Sequence, residues 1–316
     1  MSGTPASNST LSGKTVLLTG GNGFVGSRVA TRLLGFGCRI RAIVRNPGQE
    51  PALRHEHVTE IEGDFVDPAV TAPAALGANI VIHCAATSGP EVEPVRRVNT
   101  EGTRVVCEAA LSAHSERYVQ ISTGSVYDRA HHAAIDETTP LKESGDPYGL
   151  TKAEGDRVVL DFMKRGLAAV ILRPGAIIGL HRTSTWAVRI PEMVRDGKVK
   201  LRGDGEDIIP YVHVENFIDA IVLAITSFAA AGHVYDVIDG HVTWRKYTDE
   251  VRRWFELPEL ERIPMDQVPP GTYWKGAIES RRIRNELGYR PRLTYDEGMS
   301  DARSHWNQAQ ASTRPV

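Results

Sequence analysis

Tyr148 and Lys152 stand four residues apart in Tyr-Gly-Leu-Thr-Lys, inside a stretch with a helical pattern. That spacing puts both side chains on one face of a helix. A lone phenol, with a pKa of about 10, is a poor base at neutral pH. An ammonium beside it favours the phenolate and lowers that pKa, as general acid–base catalysis requires. Ser122 and Thr123 end an apolar run upstream. A hydroxyl there lies at the carboxyl edge of a sheet, where open α/β folds bind ligands. Thr123 can hold a substrate oxygen beside the tyrosine. Ser122 and Ser125 are weaker candidates.

A second constellation is Thr19 to Gly26, which reads TGGNGFVG. It contains Gly21-x-Gly23-x-x-Gly26 and, overlapping it, Gly20-x-x-Gly23-x-x-Gly26. In a dinucleotide site one glycine makes the turn, one admits the pyrophosphate, and one lets the helix pack close to the strand. The phosphates then meet the free N–H groups and positive dipole of a helix N-terminus. Here the motif follows an apolar strand and opens a helix, which is the context that gives it meaning. At the end of the next strand an acid would bind the ribose of NAD, and an arginine the 2′-phosphate of NADP. Residues 42–46 read AIVRN, with no acid. Arg45, with Arg41 behind it, therefore favours NADP(H) over NAD. The alternative for Arg45 is a solvated surface cation. Asp64, in GDFVD, either accepts from the adenine amino group or caps an ordinary loop.

These residues need strands and helices in alternation to position them. Buried-strand patterns occur at residues 15–19, 39–44, 57–61, 79–84, 117–122 and 168–172. Helical patterns occur at 24–36, 92–114 and 147–164. Such alternation implies right-handed crossovers and a parallel sheet, a Rossmann-type doubly wound α/β fold. After Gly179 the rhythm changes, with helices expected at 185–195 and 214–226 and strands near 199–202. We read residues 1–12 as a tail, 13–179 as a dinucleotide-binding lobe and 180–305 as a smaller mixed α/β substrate lobe. Part of that second lobe returns to the first, and 306–316 is a second tail.

The chain has 316 residues and a formal net charge of -2. The length suffices for a core without staples. The charge offers no footprint for nucleic acid or an anionic membrane surface. No apolar run is long enough to span a bilayer. Three widely spaced cysteines, Cys38, Cys84 and Cys107, suit reduced thiols in a cytoplasmic protein better than disulfides or a metal site.

With these pieces in order, the chain resembles the extended short-chain dehydrogenase/reductase family, also called the NAD-dependent epimerase/dehydratase superfamily, from Lys14 to about Gly298. The resemblance implies a nicotinamide-dependent enzyme. Its glycine motif falls on Thr19, Gly20, Gly23 and Gly26, with Phe24 and Val25 between them at the pyrophosphate. Its adenine-contacting acid falls on Asp64, beside Phe65. Its His-x-Ala-Ala turn is His83 to Ala86, which implies cofactor contacts at Ala85 and Ala86. Its helix asparagine, which supports the lysine through a water, falls on Asn99. The Ser/Thr before a Val-Tyr pair falls on Thr123, and the Arg-Pro segment near the nicotinamide on Arg173 and Pro174. Tyr148 and Lys152 serve both catalysis and cofactor. The family also implies a homodimer through the helices at 92–114 and 147–164.

Two departures narrow the choice. Sugar-nucleotide dehydratases of this family carry an Asp-Glu pair after the threonine, where this chain has Gly124 and Ser125. Many sugar-nucleotide epimerases carry a diphosphate-gripping Arg before Tyr-Val-His-Val, where this chain has Ile209 and Pro210. Arg182, Arg202 or the Arg281-Arg282 pair could stand in for it, or be solvated surface charge. The first reading is therefore hydride transfer at a carbonyl or hydroxyl carbon of a small metabolite. The second is a nucleotide-sugar epimerase or ketoreductase with retained NAD. The third is a sensor without turnover, which the complete set Asn99, Thr123, Tyr148 and Lys152 disfavours. His131 and His132 lie in a loop over the expected mouth of the site, with solvation the simpler account than a metal. His213 reads as a structural histidine. Trp186, Trp244, Tyr273 and Trp274 line the pocket or fill the core.

Overall fold

The computed structural model describes residues 10–128, 134–268 and 276–313. The histidines at 131 and 132 and the aromatics at 273 and 274 lie outside them. The first half contains β1 (Thr15–Thr19), α1 (Phe24–Gly35), β2 (Arg39–Val44), β3 (Val58–Glu62), α2 (Pro68–Ala75) and β4 (Ile80–His83). Then come α3 (Val92–Arg96), a π-helical segment (Arg97–Glu101), α4 (Gly102–Ser112), β5 (Arg117–Ile121), β6 (Ala134–Ile135) and α5 (Pro147–Lys164). The chain continues through β7 (Ala169–Pro174), β8 (Ala176–Ile178), a second π-helical segment (Thr185–Arg189), α6 (Ile190–Arg195), β9 (Leu201–Arg202) and β10 (Ile208–His213). It ends with α7 (Val214–Thr226), β11 (His233–Val237), β12 (Gly240–Thr243), α8 (Trp244–Trp254), β13 (Arg262–Ile263), β14 (Ala277–Ile278), α9 (Arg281–Glu286) and α10 (Tyr295–Thr313).

The main sheet has seven parallel strands in the order β11-β7-β5-β4-β1-β2-β3. It is the Rossmann-type doubly wound sheet that the alternation of strands and helices implies. The order reverses between β1 and β4, so a crevice opens beyond their carboxyl ends. Apolar strands such as Val16, Leu17 and Leu18 are buried on both faces. One face packs against Val29 and Leu33 of α1, Phe217 and Ile221 of α7, and Ile283 of α9. The other packs against Ala74 of α2, Val106 and Ala110 of α4, and Phe162 of α5.

The small lobe is built on a three-stranded sheet in the order β12-β10-β8, with α8 and α10 over it. Its core holds Tyr247, Met299 and Trp306. Trp186 and Trp244 pack at its margin, each edge-on to the other and both against Tyr247. Core packing is thus the account these two tryptophans receive.

Several features differ from the sequence reading. The expected continuous helix at 92–114 carries the π-helical segment in its middle. The helix α2 was not expected, because Pro68 and Pro73 interrupt its pattern. Residues 10–12 belong to the large lobe, since Leu11 is buried in its core and accepts from Cys38 Sγ at 3.3 Å. The second tail begins later than 306, because α10 runs to Thr313 and buried Trp306 donates to the Ala187 carbonyl at 3.0 Å. β11 pairs with β7 in the main sheet, and α7 and α9 pack on that sheet's face.

Candidate active site

The glycine turn is shaped by contacts that leave no room for a side chain. Gly20 has a φ of +72°, and a Cβ there would lie 2.6 Å from the Ala85 nitrogen. A Cβ on Gly26 would run into the Gly20 carbonyl. The turn therefore sits directly against the residues that follow β4, and α1 starts hard against it. Gly23 caps α1 without a side-chain hydrogen bond, and no acid occupies the first turn. The opening amides at Phe24 and Val25 are free for an anion, which helix N-termini favour. These observations fit a dinucleotide pyrophosphate.

The α5 helix begins with Asp146, whose side chain accepts from Gly149 N at 2.7 Å, and with Pro147 in the first turn. Both are strong start signals. A Cβ on Gly149 would lie 2.7 Å from the Ser125 carbonyl. The helix start thus presses against the turn after β5 and brings Tyr148 to Thr123. The Thr123 hydroxyl lies near enough to the phenol to act on its titration. Thr123 Oγ1 accepts from Ser125 N at 3.1 Å, so its own proton is free to point at the tyrosine oxygen. Ser122 Oγ, one residue before, is buried without a hydrogen-bond partner.

The tyrosine does not have the lowered pKa expected from its neighbour. Burial pushes the Tyr148 phenol up to about 12, with Thr123 opposing and Asp146 and Asp156 adding to the rise. The Lys152 ammonium donates to the Ile121 carbonyl at 2.7 Å. Burial lowers Lys152 to about 8, against the pull of Asp156.

Asn99, on the π-helical segment, is committed on all sides. Its Oδ1 accepts from Thr87 N at 2.9 Å, and its Nδ2 donates to the Thr87 carbonyl at 2.9 Å and to Thr151 Oγ1 at 3.0 Å. It joins the loop after β4 to α5. A π-helical insertion re-aims side chains within a helix, and such insertions recur at functional sites.

Two buried networks lie behind these residues, and sequence reasoning missed both. In the first, Ala85 N donates to Thr19 Oγ1 at 3.4 Å, and Thr19 Oγ1 meets His83 Nδ1 at 2.6 Å. His83 Nε2 then meets Thr103 Oγ1 at 3.2 Å, which donates to the Asn99 carbonyl at 2.7 Å. Because Thr103 spends its proton on Asn99, His83 must donate from Nε2 and accept at Nδ1. The ring is neutral, with burial and the Lys152 charge lowering it to about 3.

In the second network, Arg173 Nε donates to Asp156 Oδ2 at 2.9 Å and Arg173 Nη1 to Tyr127 OH at 2.9 Å. Tyr127 donates to Asp236 Oδ1 at 2.7 Å. Burial opposes the Arg173 charge, but Asp156, Tyr127 and Asp236 outweigh it and hold the guanidinium above its ordinary value. Asp156 continues the four-residue spacing of Tyr148 and Lys152, the one signal that could have revealed it. Arg173 thus turns into the protein, while Pro174 ends β7 in a buried position.

The other expected cofactor contacts are scattered along the same edge. Arg45 is exposed beyond β2, with no bond to another described residue. Asp64 accepts from Val66 N at 3.3 Å and lies 3.5 Å from Arg97. The Phe65 ring stands edge-on to His83, and Ala86 is exposed. His213 caps α7 by accepting from Glu215 N at 3.1 Å, a structural role. Among the described residues no group of three His, Cys, Asp or Glu is arranged to hold a metal ion. No helix among them is long and apolar enough to cross a membrane.

Fold and site together define a Rossmann-type enzyme built around a nicotinamide dinucleotide. Comparison with known proteins gives the family. The profile of the NAD dependent epimerase/dehydratase family matches residues 16–237. A 2-alkyl-3-oxoalkanoate reductase of Stenotrophomonas maltophilia is 31% identical, over 95% of this chain and 92% of the relative. A dTDP-glucose 4,6-dehydratase of Streptomyces griseus is 28% identical, over 90% and 92%. The crystal structure of the dTDP-glucose 4,6-dehydratase DesIV from Streptomyces venezuelae, with NAD and TYD bound, superimposes with a TM-score of 0.82 at 22% identity, covering 94% of this chain and 98% of that one. The chain belongs to the NAD dependent epimerase/dehydratase family, and its activity is of the nicotinamide-dependent oxidoreductase type.

Proposed function

We propose that the protein is an NADP(H)-preferring ketone reductase or alcohol dehydrogenase acting on a small metabolite. The observation that carries this reading is the start of α5 pressed against the turn after β5, which puts Tyr148 beside the turn headed by Thr123, with Lys152 one turn further along α5. A substrate carbonyl oxygen between the two hydroxyls accepts from both. Tyr148, kept as a neutral phenol by burial, gives the proton in reduction and takes it back in oxidation. Lys152 stabilises the phenolate left behind and holds the ribose. Asn99 keeps the loop after β4 and α5 in register. Nicotinamide, when bound, supplies or accepts the hydride.

Arg45 supports the choice of NADP(H), being exposed and free where the family places an acid for NAD. Gly124 and Ser125 lack the carboxylates that dehydration needs. Ile209 is buried in β10, and Arg282 is engaged by Glu286 and His233, so neither supplies a grip on a nucleotide diphosphate. The reductase from Stenotrophomonas maltophilia, named for a 3-oxo acid, points the same way. The dehydratase relatives favour a second reading, a nucleotide-sugar epimerase that retains NAD. Cytoplasmic residence suits the three free cysteines. A homodimer through α4 and α5 suits Leu111, Leu160 and Met163, which are only partly covered.

Two measurements test the proposal. Tyr148→Phe should lower turnover of the wild-type substrate by roughly 10²–10⁴-fold, with NADPH affinity within twofold of wild type. Activity within a few-fold of wild type would remove Tyr148 from the chemistry. Denaturing the purified protein and identifying released nucleotide separates the readings: bound NAD supports the epimerase, an empty protein that prefers NADPH supports the reductase.

A further inference from the structure

The connection leaving β8 crosses the glycine turn before it enters the small lobe. The Leu180 carbonyl accepts from Arg28 Nη2 at 3.2 Å. The His181 ring stacks on Phe24 with centroids 5.7 Å apart and an interplanar angle of 11°. Its Nε2 lies 3.4 Å from Glu50 Oε2. Arg182 Nη2 donates to the Asn22 carbonyl at 3.1 Å and lies 3.5 Å from Glu50 Oε2. Asn22 in turn donates from Nδ2 to the carbonyl of Asn46, the neighbour of Arg45, at 3.2 Å. Asn22 Oδ1 is buried with no partner. Three guanidinium-bearing residues therefore surround the turn: Arg28 on α1, Arg45 beside Asn46 after β2, and Arg182 on the strap.

Stability alone does not account for this arrangement. The Arg182 side chain is 53% exposed, and an ion pair that open to water adds little to folding. Glu50, by contrast, is buried and fixed by capping Ala52 N at 3.3 Å. Its carboxylate holds Arg182 over the turn. A guanidinium fork matches phosphate oxygens, and a phosphate presents more charge than a carboxylate.

We propose that Arg182 is a phosphate-binding residue for the dinucleotide, carried on a strap from the small lobe, with Glu50 as the group that holds it ready. The inference rests on reading the glycine turn as a dinucleotide site. It makes cofactor binding draw on the connection between the lobes as well as on the large lobe itself.

The test is titration of the full-length protein with NADPH and with NADH, followed by nucleotide fluorescence at low and high salt. Arg182→Ala should weaken at least one of them about tenfold, as loss of a charge-assisted bond predicts. Loss for NADPH alone assigns the 2′-phosphate, and equal loss for both assigns the pyrophosphate. Either supports the proposal. Arg182→Lys should fall between, and Glu50→Gln, which releases Arg182 from its anchor, should weaken binding at least twofold. Affinities within twofold of wild type for both nucleotides in Arg182→Ala would overturn the phosphate role. Binding in Glu50→Gln as tight as in wild type, or tighter, would overturn the holding role. A wild-type protein that binds neither nucleotide would instead refute the dinucleotide reading on which the proposal stands.

Discussion

The edge of the large sheet and the core of the small lobe are held together by different physics. At the sheet edge, His83, Asn99, Lys152, Asp156, Arg173 and Asp236 are all 2% exposed or less. Each is fixed by directional bonds to partners far away in sequence. The small lobe closes instead around Tyr247, Met299, Ala302 and Trp306, where area and shape do most of the work. Directional bonds fix atoms closely, which a proton-transfer site needs, but they fail abruptly when one partner is lost. Apolar packing tolerates substitution of similar volume.

The largest effect expected of this contrast is at Asp156. Asp156→Asn leaves the Arg173 guanidinium buried without its counter-charge, which costs about 3–5 kcal/mol. Thermal unfolding should show the melting temperature lower by roughly 5–10 °C. The double change Asp156→Leu with Arg173→Met removes both charges and should recover most of that loss. A loss below about 1 kcal/mol in Asp156→Asn would mean that the ion pair does not hold this edge.

The relay through His83 makes the same edge sensitive to acid. The folded-state pKa, about 3, lies below the ordinary value of 6.5, so the unfolded chain binds the proton first as pH falls. The contribution of His83 is complete above pH 6.5 and is lost as pH falls toward 3. Between pH 7 and pH 4 this amounts to about 3 kcal/mol. Denaturant unfolding across that range should show a shallower acid slope in His83→Gln than in wild type. Nitrogen NMR should find the ring neutral and protonated on Nε2 down to pH 4. An imidazole that titrates near pH 6 would break the relay.

The same division explains what could be read from the sequence. β2, α5 and α7 fall where their patterns place them, because each has a clear period or strong end signals such as Asp146 and Pro147. The residues nominated for chemistry on β5 and α5 come together, since their spacing carries the geometry. The π-helical segment was invisible, because one inserted residue hardly disturbs a hydrophobic period. β11 was missed because Asp236 sits in it for the sake of Tyr127, a bond spanning 109 positions. Glu50 was unreadable for the same reason: its meaning lies in partners that only the fold supplies.

The smallest effect is expected in the small lobe, at Met299. This residue is fully buried on α10, within a cluster that includes Ile178, Val242 and Tyr247. Met299→Leu keeps the volume and removes no hydrogen bond, so its cost should be about 1 kcal/mol or less. Its stability loss should also be the same at pH 7 and pH 4, because no charge is involved. Trp306→Phe gives up the indole bond to the Ala187 carbonyl and should cost somewhat more, about 1–2 kcal/mol. Losses in Met299→Leu as large as those in Asp156→Asn would mean that the small lobe is packed as strictly as the sheet edge. The small lobe would then be as intolerant of change as the large one.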